Sequence, residues 1–142
     1  MSFETLEFDT REPDGEGWSP LVIDSAYAQA LGALFVAHDP PRLWLEPTAG
    51  LANIAGVVHG GALATLADIA LFVAAGQGRL ERRAVTVTLQ CSYLSAATLD
   101  APLLAIGEVT RAGRSLVFAE GRITQGGRPV LSFSGTLKRL TG

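Results

Sequence analysis

The stretch NIAGVVHGGALATLADIALFVAAG, Asn53 to Gly76, decides how this chain is read. From Gly60 onward it is rich in Ala and Leu, which are good helix formers, until Gly76 and Gly78 stop it. Its residues are apolar nearly all the way round, which marks a helix enclosed by other structure rather than one lying on a surface. Yet a carboxylate, Asp68, sits in its middle, soon after His59-Gly60-Gly61. An ionised side chain is seldom buried unless it is paired or used, because desolvating it is costly.

A sheet must wrap such a helix, and the rest of the chain supplies one. RRAVTVTLQCSYL alternates, which places Val85, Val87, Leu89, Cys91 and Tyr93 on one face and Thr86, Thr88, Gln90 and Ser92 on the other. APLLAIGEVT, SLVFAEGRIT and PVLSFSGTLKRL follow, joined through the Gly-containing hairpin connections RAGR and QGGR. Long strands in this succession predict an antiparallel meander around one central helix. Upstream, DSAYAQALG predicts a short helix capped by Asp24 or Ser25, with Gly32 just past its end. ALFVAH and RLWLEP then read as two strands separated by the DPP turn. Residues 1–20, acidic and turn-rich, are expected to form an extended or disordered arm, and residues 21–142 one domain.

Composition narrows the function. At 142 residues there is room for one core, and 48% hydrophobic against 18% charged residues suggests apolar surface hidden in an oligomer. No run reaches the roughly 20 apolar residues of a membrane-spanning helix, and the acidic start lacks the pattern of a signal peptide, so a cytoplasmic location is the expectation. One cysteine, Cys91, and two histidines, His38 and His59, offer no metal-ligand spacing. Seven of the fourteen acidic residues fall in the first 24 positions, leaving ten basic and seven acidic groups from residue 25 on. A mildly cationic body suits a phosphorylated small molecule, whereas nucleic-acid binding calls for a clustered basic stripe. No serine-hydrolase elbow, dinucleotide fingerprint or phosphate-binding loop motif is present.

A helix that opens at Gly60-Gly61 leaves its first N–H groups without intrahelical partners, and glycine lets a ligand approach the backbone. Its start is either an oxyanion site or only a turn into a buried helix. Asp68 lies eight residues further on, roughly 12 Å along the axis, too far for both groups to reach one carbonyl within a single chain. Two chains related by a two-fold axis, with their helices antiparallel, would bring Gly60 of one to Asp68 of the other. Asp68 has structural alternatives, a hydrogen bond from Thr65 one turn earlier or a loop amide. Thr86, read on the polar face of its strand, would help hold a carboxylate or a water, although strand propensity also explains a threonine there. His59 and Asn53 are either site residues or loop-ordering groups. Cys91, on the apolar side of its strand, reads as core rather than nucleophile. Trp44, Phe72 and Tyr93 either border a substrate tunnel or fill the core.

The ordered set Asn53, Gly56, His59, Gly60, Gly61, Leu66, Asp68, Ala70 resembles the N-x-x-G-x-x-H-G-G-x-x-x-x-L-x-D-x-A signature of hotdog-fold acyl-CoA thioesterases of the phenylacetate-degradation group. The resemblance continues in VTVTLQCSYLSAA and GRSLVFAEGRI and spans roughly residues 32 to 140. Ile54 and Ala96 stand where the family commonly has proline, at positions that shape loops. The resemblance implies an α+β hotdog fold, a long central helix wrapped by a curved antiparallel β-sheet. It also implies a dimer whose sheets join edge to edge, or a dimer of dimers as a homotetramer. By resemblance the Gly60 amide polarises the thioester carbonyl and Asp68 of the neighbouring subunit acts as general base or nucleophile. Thr86 assists the acid, and Asn53 and His59 orient thioester, water or loop. The substrate would be a small or medium acyl- or aryl-acyl-CoA, with no cofactor needed. Gly61, Arg111 and Arg114 are substrate-binding candidates, the arginines toward CoA phosphates. A non-catalytic acyl-CoA or lipid sensor and an enoyl-CoA hydratase or dehydratase on the same scaffold are the alternatives.

Overall fold

The computed structural model describes residues 17–140. In chain order they form Trp18–Pro20 (β1), Ala26–Gln29 (α1), Gly32–Ala37 (β2), Arg42–Pro47 (β3), a 3-10 turn at Ala49–Leu51, Gly60–Ala75 (α2), Ala84–Tyr93 (β4), Leu103–Ala112 (β5), Leu116–Gln125 (β6) and Arg128–Arg139 (β7). The strands make one seven-stranded antiparallel sheet in the order β1-β2-β3-β5-β6-β7-β4, with α2 held against one face. This is the long helix in a curved antiparallel sheet that the sequence predicts.

The α2 side chains explain the arrangement. Leu63, Leu66, Ala67, Ile69, Ala70, Leu71, Val73 and Ala74 are all buried, and Leu66 and Leu71 are wholly inaccessible. At about 1.5–3 kcal/mol for each large aliphatic side chain removed from water, this burial is the main local source of cohesion. The sheet answers with Leu43, Leu45, Leu103, Val117, Ile123, Leu131 and Leu137 on its inner face. The opposite face carries a smaller cluster in which Trp44, Leu104 and Ile106 pack with Trp18 and Phe35. The Arg42 guanidinium lies 5.1 Å from the Trp18 ring centroid, and burial lowers its pKa from the usual arginine value.

Two expectations are corrected. The four long strands do not run as one meander: β5, β6 and β7 do, but β4 crosses over to pair with β7 at the far edge. The connection after β4 is pinned by the buried Gln125, whose amide nitrogen donates to the Thr98 and Ala101 carbonyls at 2.9 Å while its oxygen accepts from Thr98 N–H at 2.8 Å. The alternation in β4 is also interrupted. Thr86 pairs with Leu137 but Thr88 pairs with Thr136, a bulge with Val87 as the extra residue. Thr86 therefore shares the inner face with Leu89 and Cys91, which pack against the core, instead of the polar face. Of the two readings of Trp44, it fills a core, the smaller outer cluster.

Other expectations agree in detail. Ser25 is the cap of α1, its hydroxyl accepting from Ala28 N–H, although the helix ends at Ala30 and Gly32 already begins β2. Gly126 and Gly127 both have positive φ, as a two-residue hairpin turn of the mirror-image type demands. Of the expected N-terminal arm, Trp18–Pro20 is a strand paired with β2, and residues 1–16 lie outside the described residues.

Helix and sheet approach closely at Gly135, where a Cβ would lie 2.4 Å from Leu71 Cδ1 and 2.6 Å from the Thr88 carbonyl oxygen. Backbone on one side and a fully buried leucine on the other leave no room to yield. Gly135→Ala is expected to destabilise the fold by about 1–3 kcal/mol, measured as a lower urea midpoint with an unchanged m-value.

Candidate functional site

One strip of α2 escapes enclosure. Gly61, Thr65, Asp68 and Phe72 follow one another at spacings of four, three and four residues, which stacks them along one line of the helix. Gly61 is exposed and the other three are partly buried, so the strip opens outward beside the edge strand β4. Asp68 is therefore neither sealed in the core nor free in solvent.

Its partner is Thr86, whose hydroxyl donates to Asp68 Oδ1 at 2.7 Å. The β4 bulge makes this contact, since it turns Thr86 toward the helix. Thr65 is occupied elsewhere: its hydroxyl donates to the Gly61 carbonyl at 2.9 Å and lies 2.7 Å from the Tyr27 hydroxyl. Of the two alternatives for Asp68 within the chain, neither Thr65 nor a loop amide holds it. One carboxylate oxygen is fixed by Thr86 and the other meets no donor among the described residues. Cys91, on the same face of β4, has its thiol pushed up from the usual value by burial and then by the negative charge of Asp68.

The start of α2 is defined by His59, which caps the helix by accepting from Gly61 N–H at Nδ1, 3.0 Å away. An accepting Nδ1 carries no proton, so the neutral ring holds its proton on the exposed Nε2 and presents it as a donor. The Gly61 amide is thereby committed, and Ala62 and Leu63 both donate to the His59 carbonyl. The Gly60 N–H alone in this first turn has no acceptor among the described residues. It is a bare donor at the positive end of a 16-residue helix.

Two neighbours steady this opening. The Tyr93 hydroxyl donates to the Gly60 carbonyl at 2.6 Å, and its ring carbon Cε1 would lie 3.3 Å from a Cβ at position 60. Burial, then the nearby Cys91, raises the Tyr93 pKa, which keeps the phenol protonated and donating. Asn53 shapes the preceding loop: its Oδ1 accepts from Ala55 and Val57 N–H at 2.9 and 3.2 Å, and Gly56 turns the chain at φ 80°. That Asn53 oxygen is spent on the loop, while Nδ2 has no acceptor among the described residues.

Arg111 and Arg114 are exposed at the β5–β6 hairpin, away from the helix opening. Strand pairing shows what they stand beside. Ala112, Val117, Leu137 and Thr86 are linked in one cross-strand row, and Leu116, Lys138 and Val85 in the next. Arg82, Arg83, Lys138 and Arg139 thus gather with Arg111 and Arg114 at the end of the sheet where Thr86 meets Asp68. Sequence reading singled out only the hairpin pair, because Arg82 and Arg83 join it only after β4 has crossed to β7, and Lys138 and Arg139 only through the pairing of β6 with β7. It assigned no hydrogen bond to Tyr27 or Tyr93, whose partners lie 38 and 33 residues away along the chain. Among the described residues no three His, Cys, Asp or Glu side chains converge as a metal site, and no helix is long and apolar enough to cross a membrane.

Comparison with known proteins agrees with this fold. A family model described as Thioesterase superfamily matches residues 55–132, which include most of the loop, the helix, β4 to β6 and the start of β7. A protein of Pseudomonas aeruginosa, "Putative esterase PA0474", is 33% identical over 124 residues, 84% of this chain and 92% of the relative. The structure of the Escherichia coli PaaI protein from the phenylacetic acid degradation operon is 25% identical with a TM-score of 0.72, over 84% of this chain and 87% of that one. A Streptococcus pneumoniae hypothetical thioesterase, solved with coenzyme A, is 31% identical with a TM-score of 0.63, over 72% of this chain and 78% of that one. By motif, fold and relatives, this chain belongs to the Thioesterase superfamily.

Proposed function

We propose that this protein is an acyl-CoA thioesterase acting on small or medium acyl- or aryl-acyl-CoA. The observation that carries the reading is the hydrogen bond from Thr86 to Asp68, which holds the carboxylate by one oxygen and leaves the other to bind water. Asp68 takes a proton from that water as the water oxygen adds to the thioester carbonyl carbon. The oxyanion that forms is held by the Gly60 N–H, which needs no reorganisation to receive it. Collapse breaks the C–S bond, the thiolate of CoA leaves with the proton from Asp68, and the free acid remains. In the nucleophilic variant Asp68 itself adds to the carbonyl, and water then hydrolyses the mixed anhydride. His59 and Asn53 keep the loop in place and offer Nε2–H and Nδ2–H toward the substrate. Gly61 contributes by lacking a side chain at the mouth of the site. Arg111 and Arg114, with the basic residues gathered beside them, meet the CoA phosphates. The enzyme is cytoplasmic and uses no cofactor.

The site is completed by a second subunit. Gly60 and Asp68 are separated by roughly 12 Å along one helix, so one carbonyl contacts both only across a two-fold axis. Support for the pairing lies in β4, an edge strand with Val85, Val87 and Tyr93 exposed by 45%, 54% and 54%. A long edge strand with apolar side chains invites a partner strand. Edge-to-edge dimers, joined further into a homotetramer, would close it.

Thiol release from an acyl-CoA panel tests the activity, and Asp68→Asn is expected to lower kcat by about two to four orders of magnitude. Tight acyl-CoA binding with no cleavage of any member would put a sensor in place of the enzyme. Thr86→Val is expected to cost about ten- to a hundredfold in kcat, the value of a hydrogen bond to a charged group. Because the Asp68 charge raises the Cys91 pKa, Asp68→Asn should lower it and speed alkylation of Cys91 by iodoacetamide at neutral pH. Gly60→Pro deletes the amide donor at a helix position that tolerates proline, so kcat should fall about a hundredfold or more while the fold is kept. Random mixing of Asp68→Asn with Gly60→Pro chains would regenerate one intact site in each mixed dimer and restore roughly a quarter of the activity. No recovery would place both groups in one chain.

A further inference from the structure

We propose that Tyr93 is a positioning residue for the reaction, acting through the Gly60–Gly61 peptide on the His59 ring and keeping that ring in the tautomer that presents Nε2–H outward. The inference rests on the thioesterase reading, in which His59 offers this proton toward the substrate, and adds the group that controls it. Three hydrogen-bonding units stand in series. The Tyr93 hydroxyl donates to the Gly60 carbonyl at 2.6 Å, and the N–H of that same peptide unit, the Gly61 amide, donates to His59 Nδ1 at 3.0 Å. The far side of the ring then carries the proton on Nε2.

A peptide group transmits polarisation from its oxygen to its nitrogen. A donor at the oxygen draws electron density away from the N–H and makes it a better donor, and bonds linked in this way strengthen one another by roughly 10–30% each. His59 depends on that gain. Its side chain is exposed, and the Gly61 amide is the one hydrogen-bond partner of its ring among the described residues. An imidazole gripped firmly at Nδ1 holds its proton on Nε2, whereas one gripped weakly exchanges between its two tautomers and turns about its bonds.

The surroundings are built for this series. A Cβ at position 60 would lie 3.3 Å from Tyr93 Cε1 and 3.5 Å from its hydroxyl oxygen, and a Cβ at position 61 would lie 3.4 Å from His59 Nδ1. The two glycines thus admit a phenol on one side of their shared peptide and an imidazole on the other. Burial, then Cys91, raises the Tyr93 pKa, so the hydroxyl stays a donor at neutral pH and above. Nor is Tyr93 the anchor of its strand. Leu89 and Cys91 pack against the core and Thr86 binds Asp68, while Tyr93 is 54% exposed. A neutral hydrogen bond there adds little to stability, and its effect lies in the peptide that it polarises.

The test is Tyr93→Phe, which keeps the ring and deletes the hydroxyl. The chain has two histidines, His38 and His59, so proton–nitrogen correlation spectra of isotope-labelled protein resolve both rings, with His38→Gln to assign them. His59 is expected as a single Nε2–H tautomer in the parent and as a tautomer mixture in Tyr93→Phe, with the Gly61 amide proton moved upfield. Hydrolysis should fall about three- to tenfold in kcat, the value of one neutral hydrogen bond, with KM little changed. In a His59→Ala background the same substitution should cost nothing further, because the series has lost the ring on which it acts. A tyrosine that only braced the fold would multiply the two losses. Unchanged His59 and Gly61 signals, or multiplied losses, overturn the proposal. If no thioester is cleaved, the hydrolytic reading fails while the spectra still judge Tyr93: tautomer mixing in Tyr93→Phe supports its control of the ring, and unchanged signals overturn it.

Discussion

The structure depends on one constraint: a helix that is apolar on almost every side has to be enclosed. No flat sheet against one side would hide Leu63, Leu66, Ile69, Leu71 and Val73 together, since these residues point in several directions round the helix. The sheet therefore bends about α2, and Gly135 lets the two surfaces meet at backbone distance. What remains partly open includes the strip of Gly61, Thr65, Asp68 and Phe72, which carries both polar side chains of α2. Enclosure and site are thus two descriptions of the same packing.

The polar groups on that strip are each held from outside the helix. Thr86 holds Asp68, Tyr27 reaches Thr65, and Tyr93 reaches the Gly60 carbonyl. Each hydrogen bond crosses from another element to α2, so the helix is fixed in rotation as well as in position. A helix fixed this way presents its first N–H groups at a constant angle. Within the first turn His59 consumes the Gly61 amide, and the Gly60 amide is what its capping leaves over.

Much of this was legible in the sequence, and the parts that were not share a cause. The helix from Gly60 to Ala75, the strands on either side of the DPP turn and the hairpin at Gly126-Gly127 follow from local pattern, because propensity and turn chemistry are local properties. The side on which Thr86 stands was misread because one extra residue, Val87, reverses the alternation, and nothing in a run of valines and threonines announces a bulge. The place of β4 beside β7 was also misread, since sequence order favours pairing with the next strand and the crossover is settled by long-range contacts such as the Gln125 bonds. With that crossover went the place of Arg82 and Arg83 at the basic end of the sheet, where the pairing of β6 with β7 already sets Lys138 and Arg139 beside the β5–β6 turn. Trp44 shows the same limit: composition marks an aromatic as apolar but does not say which layer it joins.

The edge strand β4 deserves to be considered as a lever. It grips α2 at two points, Asp68 through Thr86 and the Gly60 carbonyl through Tyr93, while its own outer rim is unpaired among the described residues. A strand docking on that rim would tension both grips together, and by thermodynamic reciprocity anything seated at the helix mouth would alter how firmly the rim is held. Self-association and ligand affinity would then be a single coupled equilibrium, in which dilution loosens the ligand and the ligand resists dilution.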